Sequence, residues 1–239
     1  MKFKNYLNEG RSKSLELEEA IKLINSNCSQ ALKQYKKEHV IYRALDDNNM
    51  NNYLLTKPTG KKRKSVNTYN HYTLIMNNHP MWKKYPKRQI ICSGGNGERA
   101  IEQISGGFEE VYVVLPYDGA KIGICPKDDV WDSFFRIQDE GWGCMDDFND
   151  WLYNARGIED DNWKKFMEQT KDNEMRVAKH KNSSIWDYIS DKMEPTDNHF
   201  KVVSISSYNV KKNENVEVWT DSPCVLARAF WMDAILDED

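Results

Sequence analysis

The sequence lacks the patterns that mark several common classes of protein. No apolar run approaches the length that spans a bilayer, and the mean hydropathy of the 239 residues is -0.80. We therefore predict neither a membrane-spanning segment nor a secretory signal, and we expect no membrane partner. The formal net charge of -3 argues against a protein that coats nucleic acid, so we do not expect nucleic acid as a partner either.

Signatures of metal binding and of dinucleotide binding are also missing. The five cysteines include no C-x-x-C pair, which suits a reducing compartment and predicts no zinc site. The five histidines include no H-E-x-x-H pair, so we predict no metal site of that kind. Gly94, Gly95 and Gly97 do not form a G-x-G-x-x-G sequence before a helix, which argues against a Rossmann-type domain.

The patterns that are present predict a chain of mixed strands and helices. Ser14 is placed to cap an N-terminal helix, whose apolar stripe runs from Ile21 to Tyr35. Between residues 126 and about 195, aspartates stand before aromatic residues at helical spacing, which predicts three or four short helices. Short runs rich in β-branched and aromatic residues predict strands at 39–45, 89–93, 108–116, 120–125, 201–206, 216–220 and 224–227.

Arg43 stands in the first of these strands, on the same face as Ile41 and Leu45. A guanidinium between apolar neighbours needs an anionic partner or a route to water. Its fork suits a pair of phosphates, because it binds two oxygens at once. The alternative is an arginine on an edge strand whose head reaches solvent.

Two further polar side chains fall on predicted strands. Ser93 ends a strand directly before Gly94, which places a hydroxyl where it can line a cleft. Glu217 shares a strand face with Asn215 and Trp219, where loss of water raises the pKa of a carboxyl and a hydrogen bond from a hydroxyl lowers it. The alternative for Glu217 is a carboxylate on an edge strand that points to water.

The stretch from residue 57 to residue 73 has two possible interpretations. The basic run 57–65, which contains Arg63, is either a solvated loop or a loop that faces an anion. Residues 67–73, which include Tyr72, interleave amides, hydroxyls and aromatic rings. Such a set can stack on a flat ring and bond to its edges, or form a polar loop held by Asx turns.

Arg43, Ser93 and Glu217, in this order on three strands, resemble the Arg–Ser–Glu mono-ADP-ribosyltransferases, in particular those of T-even-like tailed phages. The resemblance implies an α+β chain over residues 10–239. Its fold is an ADP-ribosyltransferase-like split mixed β sandwich, with an N-terminal helix and a helical insertion at about 126–195. NAD is the implied cofactor, bound in the central cleft.

The same resemblance implies roles for individual residues. Ser93 corresponds to the first serine of the family's Ser-Thr-Ser motif and orients the catalytic glutamate. Glu217 corresponds to the second glutamate of the E-x-E motif, binds the nicotinamide-ribose hydroxyl and supports the oxocarbenium-like state. Arg43 and Asn215 complete the expected catalytic set. We assign the cofactor site to five residues: Arg43, Ala44, Ser93, Tyr72 and Arg63.

The sequence departs from the family pattern in three motifs. Ala44 follows the arginine where glycine is usual, and Ser93-Gly94-Gly95 stands in place of Ser-Thr-Ser. Asn215 replaces the first glutamate of E-x-E, and an amide cannot take a proton from the acceptor. Arginine-directed transfer is therefore in doubt, while transfer to another acceptor, NAD hydrolysis and an inactive site all stay open.

Residues 1–9 resemble the head-targeting peptides of T-even-like phages, which the prohead protease cuts after Leu-x-Glu. Leu7-Asn8-Glu9 is such a sequence, although Leu17-Glu18-Glu19 matches it too. The resemblance implies a protein that is packaged in the capsid, cleaved after Glu9 and delivered with the DNA into the host cytoplasm. We expect an NAD-dependent transferase that modifies a host protein; the alternative is a virion or host-binding protein with a decayed site of the same fold.

Overall fold

The computed structural model describes residues 10–45, 51–59, 71–97, 100, 111–138 and 191–236. The chain divides into two compact units. The first comprises Met1–Lys61, Tyr85–Ile124 and Val202–Asp239, and the second comprises Lys62–Lys84 and Cys125–Lys201. Several predictions lie outside the described residues: the head-targeting peptide with Glu9, Arg63, the side chain of Tyr72, and most of the helical insertion.

Among the described residues, nine strands form one large sheet, so the chain is of the mixed α+β class. The order across the sheet is β1-β3-β9-β5-β2-β4-β8-β6-β7. Each pairing from β1 to β6 in this order is antiparallel. The strands are β1 (Gly10–Leu15), β2 (Ile41–Ala44), β3 (Tyr53–Pro58), β4 (Ile90–Gly95), β5 (Val111–Pro116), β6 (Lys121–Ile124), β7 (Lys201–Ser204), β8 (Asn215–Thr220) and β9 (Cys224–Arg228).

The described helices are short, and none is long and apolar enough to cross a membrane. The α-helices are α1 (Leu17–Asn27), α2 (Ser29–Tyr35), α3 (His71–Asn78), α4 (Phe135–Gln138) and α5 (Met232–Leu236). Short 3-10 helices cover Pro80–Trp82, Trp131–Ser133, Ile205–Ser207 and Ala229–Trp231.

The N-terminal part differs from the sequence prediction in two respects. Ser14 is not a helix cap, because it lies in β1 and pairs there with Leu54 of β3. The single predicted helix is two helices, which meet at the buried Cys28. The seven predicted strands are present, as β2 and β4–β9. Strands β1 and β3 were not predicted. The polar sequence of β1 shows no apolar alternation, and its pairing with β3 depends on contacts such as Ser12 Oγ to Thr56 Oγ1 at 3.0 Å.

The core of the first unit contains thiols that are held away from water. Cys28 is fully buried between α1 and α2, and its Sγ donates to the Leu115 carbonyl oxygen at 3.3 Å. Burial raises the pKa of the Cys28 thiol to about 12. Burial likewise raises the pKa of Cys224 well above its ordinary value. Both groups therefore pack as neutral apolar side chains.

The second unit contains a cluster of three aromatic side chains and a buried amide. Trp82 meets Phe200 edge-on at 5.0 Å between ring centroids, and Phe134 lies 5.1 Å from Phe200. Asn198 is fully buried, and its Oδ1 accepts a hydrogen bond from the Arg136 backbone N–H at 3.0 Å. These contacts connect the described residues before position 139 with the described residues after position 190.

Gly123 of β6 is required by the packing of Trp219. A Cβ at this position would lie 2.2 Å from Cε2 of the indole, which is inside van der Waals contact. We expect Gly123→Ala to lower the free energy of unfolding by about 1–3 kcal/mol, because the buried indole has to shift. Urea denaturation measures this, and exposed Lys33→Ala on α2 is the control, expected within about 0.5 kcal/mol of wild type. Equal stability of the two variants would contradict the packing.

The buried thiols make stability depend on alkaline pH. The pKa of Cys28 is raised from its ordinary 9.0 to about 12, so folding favours the protonated thiol. This contribution is fully present below the ordinary pKa and is lost as the pH rises towards the folded value. We expect the free energy of unfolding to fall between about pH 9 and pH 12. Cys28→Ala should reduce that slope and Lys33→Ala should not; identical slopes in urea titrations would refute this origin.

Candidate functional site

The sheet brings the three strands of the predicted site side by side, in the order β2-β4-β8. Ser93 of β4 pairs with Tyr42 of β2 on one side and with Glu217 of β8 on the other. Residues directly opposite each other in a sheet point to the same face. The hydroxyl of Ser93 and the carboxylate of Glu217 are therefore neighbours on one face of the sheet.

The edge-strand interpretations of Arg43 and Glu217 are wrong. Strand β2 lies between β5 and β4, and β8 lies between β4 and β6. Arg43 is 8% exposed and Glu217 is 6% exposed. Neither side chain reaches bulk water, so the charge of each is held within the protein.

Arg43 lies on the opposite face of the sheet from Ser93 and Glu217. It follows Tyr42 in β2 and pairs with Tyr112 of β5, so its side chain alternates away from the Ser93 face. On its own face, the guanidinium opposes the rise that burial produces in the pKa of Cys224. Ala44 pairs with Val111 and shares the face of Tyr42. The role of Arg43 in binding phosphates stays a prediction, and the strand register does not favour it.

A different arginine contacts Glu217. Arg88, which precedes β4, donates to Oε1 of Glu217 from Nη2 at 2.5 Å and from Nε at 3.2 Å. The two side chains are 4% and 8% exposed, so this is a buried, charge-assisted pair. Arg88 is not among the residues predicted for the site, because its surroundings in the basic segment before β4 are typical of a solvated turn. The signal that could have found it is Glu217 itself, because a carboxylate on an inner strand needs a cationic partner.

Ser93 and Asn215 extend this polar cluster. The Ser93 hydroxyl, on a residue that is 4% exposed, lies 3.5 Å from Oδ1 of Asn215, at the outer limit of a hydrogen bond. Asn215 is half-buried at the start of β8. One face of β4 and β8 thus carries a hydroxyl, an amide and a carboxylate, with the Arg88 guanidinium on the carboxylate.

Residues 85–88 run across this face, and we call them the β8 strap. The Tyr85 ring stacks on Trp219 at 6.2 Å between centroids and 19° between planes. The Pro86 carbonyl oxygen accepts a hydrogen bond from Trp219 Nε1 at 2.9 Å. The Lys87 backbone N–H donates to Asp221 Oδ2 at 2.9 Å. Together with the Arg88 pair, these contacts close the face over Glu217.

The remaining predicted site residues are not tested by this geometry. Tyr72 lies in α3, with its side chain outside the described part, and Arg63 and Glu9 lie outside the described residues altogether. Within the described ranges, no group of three or more His, Cys, Asp or Glu side chains could hold a metal ion. Comparison with protein-family models, curated proteins and solved structures finds no match to the chain.

The buried pair should show strong energetic coupling. Arg88→Met leaves the Glu217 charge without this partner inside the protein, so we expect it to lower the free energy of unfolding by about 3–5 kcal/mol. Adding Glu217→Met should restore part of that loss, because it removes the buried charge. A double-mutant cycle in urea measures the coupling. The exposed Lys13–Glu19 pair, at 2.7 Å, is the control and should couple by about 0–1 kcal/mol. Additive losses at Arg88 and Glu217 would contradict the interpretation.

Proposed function

We propose that this chain is an NAD-dependent mono-ADP-ribosyltransferase of the Arg–Ser–Glu type that modifies a host protein. The observation that carries the proposal is the direct pairing of Ser93 with Glu217 on two adjacent inner strands. A serine hydroxyl beside a strand carboxylate is the arrangement that the Ser-Thr-Ser and E-x-E motifs of that family imply. The large antiparallel sheet is consistent with one half of a split β sandwich around NAD.

The proposed reaction needs a carboxylate where positive charge develops. The bond between the nicotinamide nitrogen and C1′ of the ribose breaks, and its electron pair leaves with nicotinamide. The ribose then carries oxocarbenium-like charge, which the Glu217 carboxylate stabilises. A nucleophilic atom of the acceptor forms the new bond to C1′ and loses a proton. The products are the ADP-ribosylated acceptor, nicotinamide and that proton.

Asn215 limits the choice of acceptor. It stands two residues before Glu217, where the family carries a glutamate that draws a proton from arginine. An amide has no basic oxygen for this step. We therefore propose a protein acceptor other than arginine, or one that loses its proton without help, with water as a competing acceptor.

The setting of the activity is part of the proposal. The sequence Leu7-Asn8-Glu9 supports packaging in a phage capsid and cleavage by a prohead protease after Glu9. The cleaved protein would enter the host cytoplasm with the DNA and meet its acceptor there.

A second candidate is a virion or host-binding protein that keeps the fold with a decayed site. Two observations favour it: Asn215 replaces a glutamate, and Glu217 is held in a buried pair with Arg88. Calorimetry with NAD separates the candidates, because a decayed site should give no measurable heat of binding.

The transferase is tested with labelled NAD and host lysate. Glu217→Gln keeps a carbonyl oxygen for Arg88 but removes the negative charge, so we expect labelling of the host protein to fall by about 10²-fold or more. The control is Glu18→Gln on the exposed side of α1, which should label like wild type. Equal labelling by wild type and Glu217→Gln, or none by wild type, would rule the activity out.

A further inference from the structure

We propose that the β8 strap is a gate over Glu217, and that a diphosphate-bearing ligand opens it by drawing the Arg88 guanidinium onto its phosphates. This inference rests on the proposed function and deepens it. The Arg88 guanidinium would hold the diphosphate, and its contact with Glu217 keeps the site closed.

Arg43 and Arg88 lie on opposite faces of the sheet. A ligand that touches both Ser93 and Glu217 lies on their common face of the sheet. Arg43 pairs with Tyr112 and points to the other face, so the strand register does not favour its contact with such a ligand. Arg88 reaches the Glu217 carboxylate and is therefore already on the required face.

The strap contacts side chains on one face of β8. Two alternate residues of the strand contact the strap: Glu217 at Arg88, and Trp219 at Tyr85 and Pro86. Asp221, directly after the strand, accepts a hydrogen bond from the Lys87 backbone N–H. Alternate residues of a strand point the same way, so the strap lies along one face like a cover. Glu217 is 6% exposed and its carboxylate is held by Arg88, so a ligand reaches that carboxylate only when the cover moves.

Opening of the strap allows Arg88 and Glu217 to exchange each other for groups of the ligand. The Arg88 fork binds two oxygens of one anion, and a diphosphate offers such oxygens with more negative charge than the single carboxylate. Glu217 in turn accepts hydrogen bonds from the ribose hydroxyls of the same ligand. Each charge thus leaves one partner and gains another, and the ligand binds the open form better than the closed one. That difference in affinity is what shifts the equilibrium between the two forms.

The strap ends in a tight turn, on which we propose that it opens. The Gln89 backbone N–H donates to the Lys87 carbonyl oxygen at 2.8 Å, a three-residue turn directly before β4. Rotation at this turn moves Arg88 without disturbing the ladder between β4 and β8. The opening therefore needs no change in the sheet.

The test uses ADP-ribose as the probe, with hydrogen exchange of the strap amides as the readout. In wild type, we expect ADP-ribose to speed exchange at Lys87, because its N–H loses the bond to Asp221. In Arg88→Met, exchange should already be fast without ligand, and the affinity for ADP-ribose should fall at least tenfold. Arg88→Lys keeps the charge without the fork and should give an intermediate affinity. Arg136→Met, an ion-paired arginine of the second unit, is the control and should behave like wild type.

Three results would overturn the gate: no binding of ADP-ribose by wild type, binding with unchanged exchange at Lys87, or equal affinity in Arg88→Met. The transferase has a separate readout in the labelling of host protein. Labelling together with an unmoved strap would keep the transferase and remove the gate. A strap that opens with ADP-ribose, in a protein that labels nothing, would support the gate and remove the transferase.

Discussion

The pairing of Arg88 with Glu217 is the interaction on which the site depends. A carboxylate on an inner strand carries a desolvation cost of several kcal/mol unless a cation and hydrogen bonds offset it. Arg88 supplies both, at 2.5 and 3.2 Å from the same oxygen. To do so, the chain before β4 has to cross β8, and this path places Tyr85 on Trp219. The buried pair and the cover over the sheet face are thus parts of one arrangement.

The same pair separates the two candidate functions. If Glu217 only forms a structural ion pair, the polar face belongs to a decayed site and the sheet has a structural role alone. If Arg88 and Glu217 can separate and each bind a ligand, the charge of Glu217 becomes available to that ligand when the strap opens. Buried ion pairs are in general weak evidence for stability, since apolar replacements are often as good. The position of this pair beside the buried Ser93 hydroxyl is instead an argument for a functional role.

The elements that were predicted correctly are those with a strong local pattern. The apolar runs of β5 and β9 and the alternation in β8 mark strands by themselves. The polar β1 shows no such pattern and is a strand because β3 pairs with it, so Ser14 was misread as a cap. Ser93 and Glu217 were chosen as candidate site residues from their positions on strands, and the structure places them on two paired strands. Arg88 was not chosen, because its partner lies 129 residues away in the sequence.

The sequence alone determined which side chains alternate within a strand, and so it placed Asn215, Glu217 and Trp219 on a common face. That follows from the backbone geometry of a single extended segment. Only the tertiary structure decided which strands are neighbours: it set Ser93 opposite Glu217, turned Arg43 towards Tyr112 on the other face, and brought Arg88 to the carboxylate. Those outcomes depend on hydrogen bonds between distant segments, and a shift of one residue in register would reverse every face.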